Sequence, residues 1–237
     1  MGRQNSNNQI EKFIGEFNKH VYHPILNRDI GQPKLKKETA FFLLLPKLNG
    51  EEWTSSTNTA AIALGAVYTA FAAHDAVNSY DVTTTNEQLR VLSGDYLSGI
   101  YYQLIAALPN FEFIQAIAEI ISRINEAKIE LYTNINMKPN DRIQAIQTIQ
   151  AECIAQFLIS FGYEKYSPIV NAALPLMTLL QQERTADGWS LKEDIATGMI
   201  DQLIDELEKE ITKSDFLLPH IAGEVKEMAL SCLGKTT

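Results

Sequence analysis

Apolar residues recur every three or four positions along nearly the whole chain, and this helical spacing restricts the fold more than any other feature. Near the beginning Phe13, Ile14, Phe17 and Val21 follow it, which places their side chains on one face of a helix. The same spacing returns between residues 200 and 211. No run of alternating polar and apolar residues is long enough to predict a strand. The sequence therefore predicts an all-α fold.

Turn residues divide this pattern into about nine helices, and two of these are expected to begin at Pro139 and Pro219. Gly31 and Pro33 end the first helical segment, so residues 1–32 are expected to form a peripheral N-terminal helix. No internal repeat or low-complexity linker is visible, and we expect one helical bundle that spans residues 1–237 as a single domain. A long helix is expected to run to His74, and its candidate N-caps are Ser55, Ser56 and Thr57.

Composition excludes several classes of function. The 237 residues include 29 acidic and 20 basic side chains, a net charge of -9, which is the wrong sign for a nucleic-acid-binding protein. Cys153 and Cys232 lie far apart in apolar helical patterns, as buried thiols in a reducing cytosol would. The longest apolar run, residues 40–46, is far shorter than the roughly 20 residues of a transmembrane helix. We expect a cytoplasmic protein with no transmembrane segment.

Three small groups of charged residues each allow a functional and an ordinary interpretation. His20 and His23 are three residues apart on one predicted helix face but have no further metal ligands near them, so we interpret them as surface histidines near a helix end. Asp201 and Asp205 share a helical face that could hold a divalent ion, although a solvated face is the simpler interpretation. A basic run that could contact a phosphate, or only form a solvated helix start, comprises Lys34, Lys36 and Lys37.

Two segments joined by a loop carry the most specific pattern in the chain. Residues 72–79 read Ala-Ala-His-Asp-Ala-Val-Asn-Ser, and residues 91–97 read Val-Leu-Ser-Gly-Asp-Tyr-Leu. The pair resembles the first aspartate-rich region of the trans-type prenyl diphosphate synthases, His-Asp-Asp-x-x-Asp, followed by a loop with paired arginines and by Val-Leu-Ala-Gly-Asp-Tyr-Leu. In that family aspartates at i, i+1 and i+4 hold the Mg²⁺ ions that neutralise the departing diphosphate. Here Asp75 keeps the first position, Ala76 replaces the second, and Ser79 stands at the third.

The other acidic and basic groups of that region are missing as well. Asp81 lies six residues beyond Asp75, which turns it away on a helix, and only Arg90 follows the loop. No second Asp-Asp-x-x-Asp occurs later. One carboxylate of about six cannot assemble a magnesium cluster. We therefore predict no catalytic residue and no metal ligand in this chain, only a vestigial motif made of His74, Asp75 and Ser79.

These departures resemble the small, regulatory subunit of the two-component bacterial heptaprenyl diphosphate synthases. The resemblance is good over residues 57–132 and is carried by residues 70–75, 91–102 and 124–132. It implies a heterodimer whose large subunit holds both aspartate motifs, the Mg²⁺ and the substrates, while this chain stabilises that subunit and helps to shape the elongation tunnel. The implied product is a long all-trans prenyl diphosphate, typically heptaprenyl, for the menaquinone side chain.

A growing prenyl chain needs a dry, elongated cavity, and the walls of a helical bundle can provide one. The candidates for the tunnel wall or the subunit interface are Phe71, Gly94, Asp95, Tyr96, Leu97, Ile100, Tyr101 and Leu104. Each could equally belong to the chain's own core, and we expect Asp95 to be a structural residue between helices. Two alternatives stay open: an enzyme that is active alone with one Mg²⁺ on Asp75, and a helical scaffold or binding protein that kept only the fold.

Overall fold

The computed structural model describes residues 2–77, 84–134, 136–182 and 193–231. Within these ranges all regular structure is helical, with twelve α-helices and one 3-10 turn, which confirms the predicted all-α class. The count exceeds nine because short turns divide several of the predicted segments. The chain forms two compact units, residues 1–111 and 112–237. No helix in the described part of the chain is long and apolar enough to cross a membrane.

Unit 1 contains six helices: α1 Gly2–His20, α2 Pro24–Asp29, α3 Lys37–Leu43, α4 Leu45–Leu48, α5 Ser55–Asp75 and α6 Thr85–Ile105. Helix α5 is the central one, because residues 60–67 are buried all round it and a helix that is apolar on every side must be enclosed. Helices α3 and α6 pack against α5, α6 along much of its length. At Gly65 a Cβ would lie only 3.2 Å from the Phe17 ring, so the missing side chain gives that ring its place beside α5.

The N-terminal region differs from the single peripheral helix that the sequence predicted. It forms two helices, α1 and α2, because the chain breaks at His23, whose Nδ1 accepts a hydrogen bond from the Leu26 amide at 3.4 Å. Pro24 occupies the first helical position, where a proline is favoured. Helix α1 also contributes to the core, since Phe13 and Phe17 are buried.

The cap of α5 also differs from the prediction by one residue. Thr54 precedes the helix in an extended conformation, and its hydroxyl accepts a hydrogen bond from the Thr57 amide at 3.1 Å. The predicted candidates Ser55, Ser56 and Thr57 are already helical. The hydroxyl that caps belongs to the last extended residue before the helix, and a run of four consecutive hydroxyl residues, 54–57, does not show which residue that is.

Unit 2 contains α7 Phe111–Thr133, α8 Pro139–Gln150, α9 Glu152–Ser160, a 3-10 turn Glu164–Tyr166, α10 Ser167–Gln182, α11 Glu193–Lys213 and α12 Pro219–Leu230. Helix α10 packs against α8, α9, α11 and α12, which makes it the centre of this unit. The rings of Phe113 and Phe161 meet edge to face with centroids 5.2 Å apart, and Arg123 pairs with Glu152. These contacts join α7 to α9 and to the residue that follows α9.

Candidate functional site

The vestigial aspartate motif lies at the C-terminal end of α5. His74 and Asp75 are the last two residues of the helix, and both are exposed. Ala76, at the position of the second aspartate, is the residue after the helix, and its amide hydrogen-bonds back to the Ala72 carbonyl at 3.1 Å. Ser79, the third predicted member, lies outside the described residues.

The retained glycine of the second segment lies directly beneath His74. A Cβ on Gly94 would come within 2.4 Å of the His74 Nε2, far inside any real contact distance. A glycine at this position of α6 therefore lets the imidazole ring rest against the helix, and any larger residue would displace the ring. The pattern His-Asp followed by Gly-Asp thus has a packing role between α5 and α6 that needs no metal ion.

Asp95 faces the same imidazole. Its Oδ1 lies 3.8 Å from the His74 Nε2, which is beyond hydrogen-bonding distance, so the contact is electrostatic and depends on a protonated ring. Both side chains are open to solvent, 41% for His74 and 65% for Asp95, and such pairs contribute little to stability. Asp95 is therefore an exposed residue of α6 that approaches His74 of α5, and the structural role expected for it stays a prediction.

The structure divides the remaining tunnel and interface candidates by burial. Leu97 and Tyr101 are buried on the side of α6 that faces away from solvent. Phe71, Ile100 and Leu104 are half-buried. Their role in a tunnel or an interface stays a prediction.

Tyr96 packs against the N-terminal segment. Its hydroxyl donates to the Tyr22 carbonyl at 3.1 Å, and its ring meets His23 edge to face with centroids 5.0 Å apart. The side chain therefore ties α6 to the start of α2, a contact that no local pattern in the sequence reveals.

One face of α6 exposes large apolar side chains that the sequence analysis did not select. Leu92 is 56% and Tyr102 is 64% exposed. Between them lies Gly99, where a Cβ would meet nothing within 4 Å. Positions i, i+7 and i+10 share a helix face, so these three residues form one surface, which we call the α6 outer face. The spacing of these residues can be seen in the sequence, but the exposure of their side chains cannot.

The structure shows where the residues of the basic run and of the histidine pair lie. Lys34 lines a cavity of about 240 Å³ that also borders Arg90 and the end of α5. Lys37 approaches Glu11 at 3.9 Å on the surface. His20 ends α1 and His23 caps α2. The prediction that both lie on one helix face was wrong, because the chain turns between them.

No metal centre is visible in the part of the chain that the structure describes, where no three His, Cys, Asp or Glu side chains come close enough to hold an ion. Asp201 and Asp205 are exposed on α11. Burial raises the pKa of the Cys153 thiol, which keeps it protonated and unreactive. With Asp75 beside Ala76, the end of α5 lacks the oxygen ligands that a Mg²⁺ cluster requires.

Solved structures of prenyl diphosphate synthases have a similar fold. A decaprenyl diphosphate synthase from Rhodobacter capsulatus superimposes with a TM-score of 0.68 at 14% identity, with 100% of both chains covered. A heptaprenyl diphosphate synthase from Staphylococcus aureus gives a TM-score of 0.65 at 13% identity, over 94% of this chain and 98% of the other. At such identities the likeness establishes the fold alone.

Sequence comparison is more specific. The protein named heptaprenyl diphosphate synthase component 1 from Geobacillus stearothermophilus is 26% identical over 129 residues, which are 54% of this chain and 59% of that protein. The alignment thus spans less than two thirds of that relative. The profile of heptaprenyl diphosphate synthase (HEPPP synthase) subunit 1 matches residues 23–226, most of the sequence. The chain therefore belongs to the heptaprenyl diphosphate synthase subunit 1 family.

Proposed function

We propose that this chain is the non-catalytic small subunit of a heteromeric long-chain all-trans prenyl diphosphate synthase. The observation that carries the proposal is the end of α5, where His74 still packs on Gly94 but Ala76 stands in place of the second aspartate. The helix contacts of a synthase are kept while the metal ligands are absent. The complex makes heptaprenyl diphosphate from farnesyl and isopentenyl diphosphate, for the menaquinone side chain.

The proposed partner is the catalytic large subunit, which holds both aspartate motifs, the Mg²⁺ and the substrates. The name of the Geobacillus stearothermophilus relative, component 1, supports the existence of a second component. The α6 outer face is the proposed contact surface. Leu92 and Tyr102 expose apolar area there, and exposed apolar area does not stabilise an isolated subunit. This chain is required for activity and helps to set the length of the product, whose growing end lies at the interface.

The test is a reconstitution assay with matched components. Purified chain, catalytic subunit or both are incubated with Mg²⁺, farnesyl diphosphate and isopentenyl diphosphate, and the products are separated by chain length. We expect product only from the pair. Product from this chain alone would show that the chain is an independent enzyme. If the chain does not change the activity of the catalytic subunit, it is instead a scaffold or binding protein.

A single substitution tests the vestigial motif. We expect Asp75→Ala to leave the activity of the assembled pair within a few-fold of the wild type, because one carboxylate without its neighbours does not hold a magnesium cluster. Steady-state turnover of the reconstituted pair measures this. The matched comparison is an alanine at a motif aspartate of the catalytic subunit. Losses of similar size in the two variants would contradict a non-catalytic role for this chain.

A further inference from the structure

The bend between α1 and α2 exposes two large apolar side chains that the core of unit 1 does not use. Val21 is fully buried and Leu26 is 5% exposed, so these two residues anchor the bend in the core. Their neighbours Tyr22 and Ile25 are 53% and 51% exposed. Burying an aliphatic or aromatic side chain is favourable, so these two retain apolar area that a further contact can cover.

Hydrogen bonds and a ring contact hold the bend in position. The Tyr96 hydroxyl of α6 donates to the Tyr22 carbonyl at 3.1 Å, and the Gln32 side-chain amide donates to the Asn18 carbonyl at 3.0 Å. His23 caps α2, and its ring meets that of Tyr96 edge to face. Because the backbone is fixed from both sides, little further ordering is needed when the exposed side chains meet a surface.

The same bend is rich in basic residues. Residues 17–28 contain Lys19, His20, His23 and Arg28 and no acidic residue, in a chain whose net charge is -9. Lys19 and His20 are exposed in the last turn of α1, and neither forms an ion pair with a residue that the structure describes. We call the exposed set of Lys19, His20, Tyr22 and Ile25 the α1–α2 elbow.

The carboxylates that flank this segment along the chain are already engaged. Glu16 accepts a hydrogen bond from the Asn58 side-chain amide at 2.9 Å, on the side of α5. Asp29 pairs with Arg28 at 2.6 Å. On α6, Asp95 faces the end of α5. The positive charge at the end of α1 is therefore not cancelled by these carboxylates, and the elbow favours an anionic partner.

Exposed apolar side chains beside basic ones are typical of a surface that rests on a lipid bilayer. Tyrosine is enriched where a bilayer meets water, an aliphatic side chain gains free energy by entering the acyl boundary, and basic residues are attracted to anionic head groups. A stable contact between proteins usually buries about 800 Å² on each side, which is far more than two half-exposed side chains supply. A bilayer is therefore the partner that this small elbow fits better.

We propose that the α1–α2 elbow binds the surface of an anionic lipid bilayer. Tyr22 and Ile25 enter the head-group region, while Lys19 and His20 stay at its charged surface. Binding is a property of this chain alone, so it is tested without the catalytic subunit and does not depend on the proposed heterodimer.

Co-sedimentation of the full chain with lipid vesicles tests the proposal. Vesicles of phosphatidylglycerol and phosphatidylcholine in equal parts are compared with vesicles of phosphatidylcholine alone, and the bound fraction is measured over a range of lipid concentrations. We expect saturable binding to the mixed vesicles only. High salt should release the chain, because salt screens the attraction between exposed charges.

Two variants separate the apolar from the basic contribution. Ile25→Ser and Lys19→Gln should each weaken binding to the mixed vesicles about fivefold, since a half-exposed aliphatic side chain and a single basic residue each contribute about that much at an anionic lipid surface. The matched controls are Ile159→Ser, with the same exposure of 51% on α9, and Lys209→Gln, which is exposed on α11. Both controls should bind within about twofold of the wild type, because neither residue belongs to the elbow.

Thermal unfolding checks that every variant is folded. The proposal is overturned by an absence of binding to the mixed vesicles, by equal binding to phosphatidylcholine alone, or by binding that high salt does not reduce. Wild-type binding of Ile25→Ser or of Lys19→Gln overturns it as well. So does a loss in either control as large as in its matched variant, because the contact would then lie outside the elbow.

Discussion

At the residue scale, the packing of the His74 ring of α5 on α6 depends on the absence of one side chain. Gly94 and Gly99 lie on the same helix, but a Cβ meets the His74 ring at 2.4 Å in the first case and nothing within 4 Å in the second. Alanine is favoured over glycine in a helix by about 1 kcal/mol. We therefore expect Gly99→Ala to raise the free energy of unfolding by up to about 1 kcal/mol, and Gly94→Ala to fall short of that gain because it displaces the ring.

A double-mutant comparison isolates the cause. In a His74→Ala background, Gly94→Ala should stabilise the chain as much as Gly99→Ala does, because the ring is no longer there to be displaced. Urea unfolding followed by circular dichroism measures all four variants. If Gly94→Ala gives the full gain while His74 is present, the proposed contact does not constrain the helix pair.

The sequence predicts the part of the candidate site that is contiguous in the chain and not the part that tertiary packing brings together. The missing carboxylates could be identified because the aspartate motif is contiguous, and Asp75, Ala76 and Ser79 stand in one short run. The proximity of Lys34 to Arg90 could not, because it depends on how the segment before α3 folds over the ends of α5 and α6. Tertiary packing forms the cavity that these two residues line, and no local spacing in the sequence indicates it.

At the element scale, the capping of α5 by Thr54 can be tested with a control two residues away. Thr54→Ala removes the hydroxyl that accepts from the Thr57 amide, so it should lower the free energy of unfolding by about 1 kcal/mol. Ser56→Ala, at an exposed helical position, should change it by less than about 0.5 kcal/mol. Urea unfolding of both variants decides. An equal effect of the two would mean that the helix begins at a different residue.

Proline identifies two helix starts correctly, but a third helix start at a proline was missed. Helices α8 and α12 begin at Pro139 and Pro219, as the sequence indicates, because proline lacks the amide hydrogen that the first turn does not use. The break between α1 and α2 was missed although Pro24 marks it, since the apolar spacing continues past it to Leu26. Periodicity reports which face is buried, and the caps determine where a helix stops.

At the scale of the whole molecule, the residues on which the proposed function rests lie in unit 1. The vestigial motif and the α6 outer face both belong to residues 1–111. Unit 2 has its own core around α10, and the family match from residue 23 to 226 includes helices of both units. The expectation of a single domain over residues 1–237 stays a prediction.

The last prediction concerns how the molecule recognises its proposed partner. If the α6 outer face binds the catalytic subunit, Leu92→Glu places a charge in the centre of the contact and should weaken the complex by at least about tenfold, as substitutions at buried interface anchors do. Because Leu92 is 56% exposed, the free energy of unfolding of the isolated chain should hardly change.

Ile159→Glu is the matched control, with an isoleucine that is 51% exposed on α9 of unit 2. The affinity of each variant for the catalytic subunit is measured by surface immobilisation of that subunit, and prenyl transfer is assayed across a range of chain concentrations. For Leu92→Glu we expect full activity to return at high concentration, since the substitution weakens association and leaves the assembled pair intact. Wild-type affinity for Leu92→Glu, or an equal loss for Ile159→Glu, would place the interface elsewhere on the chain.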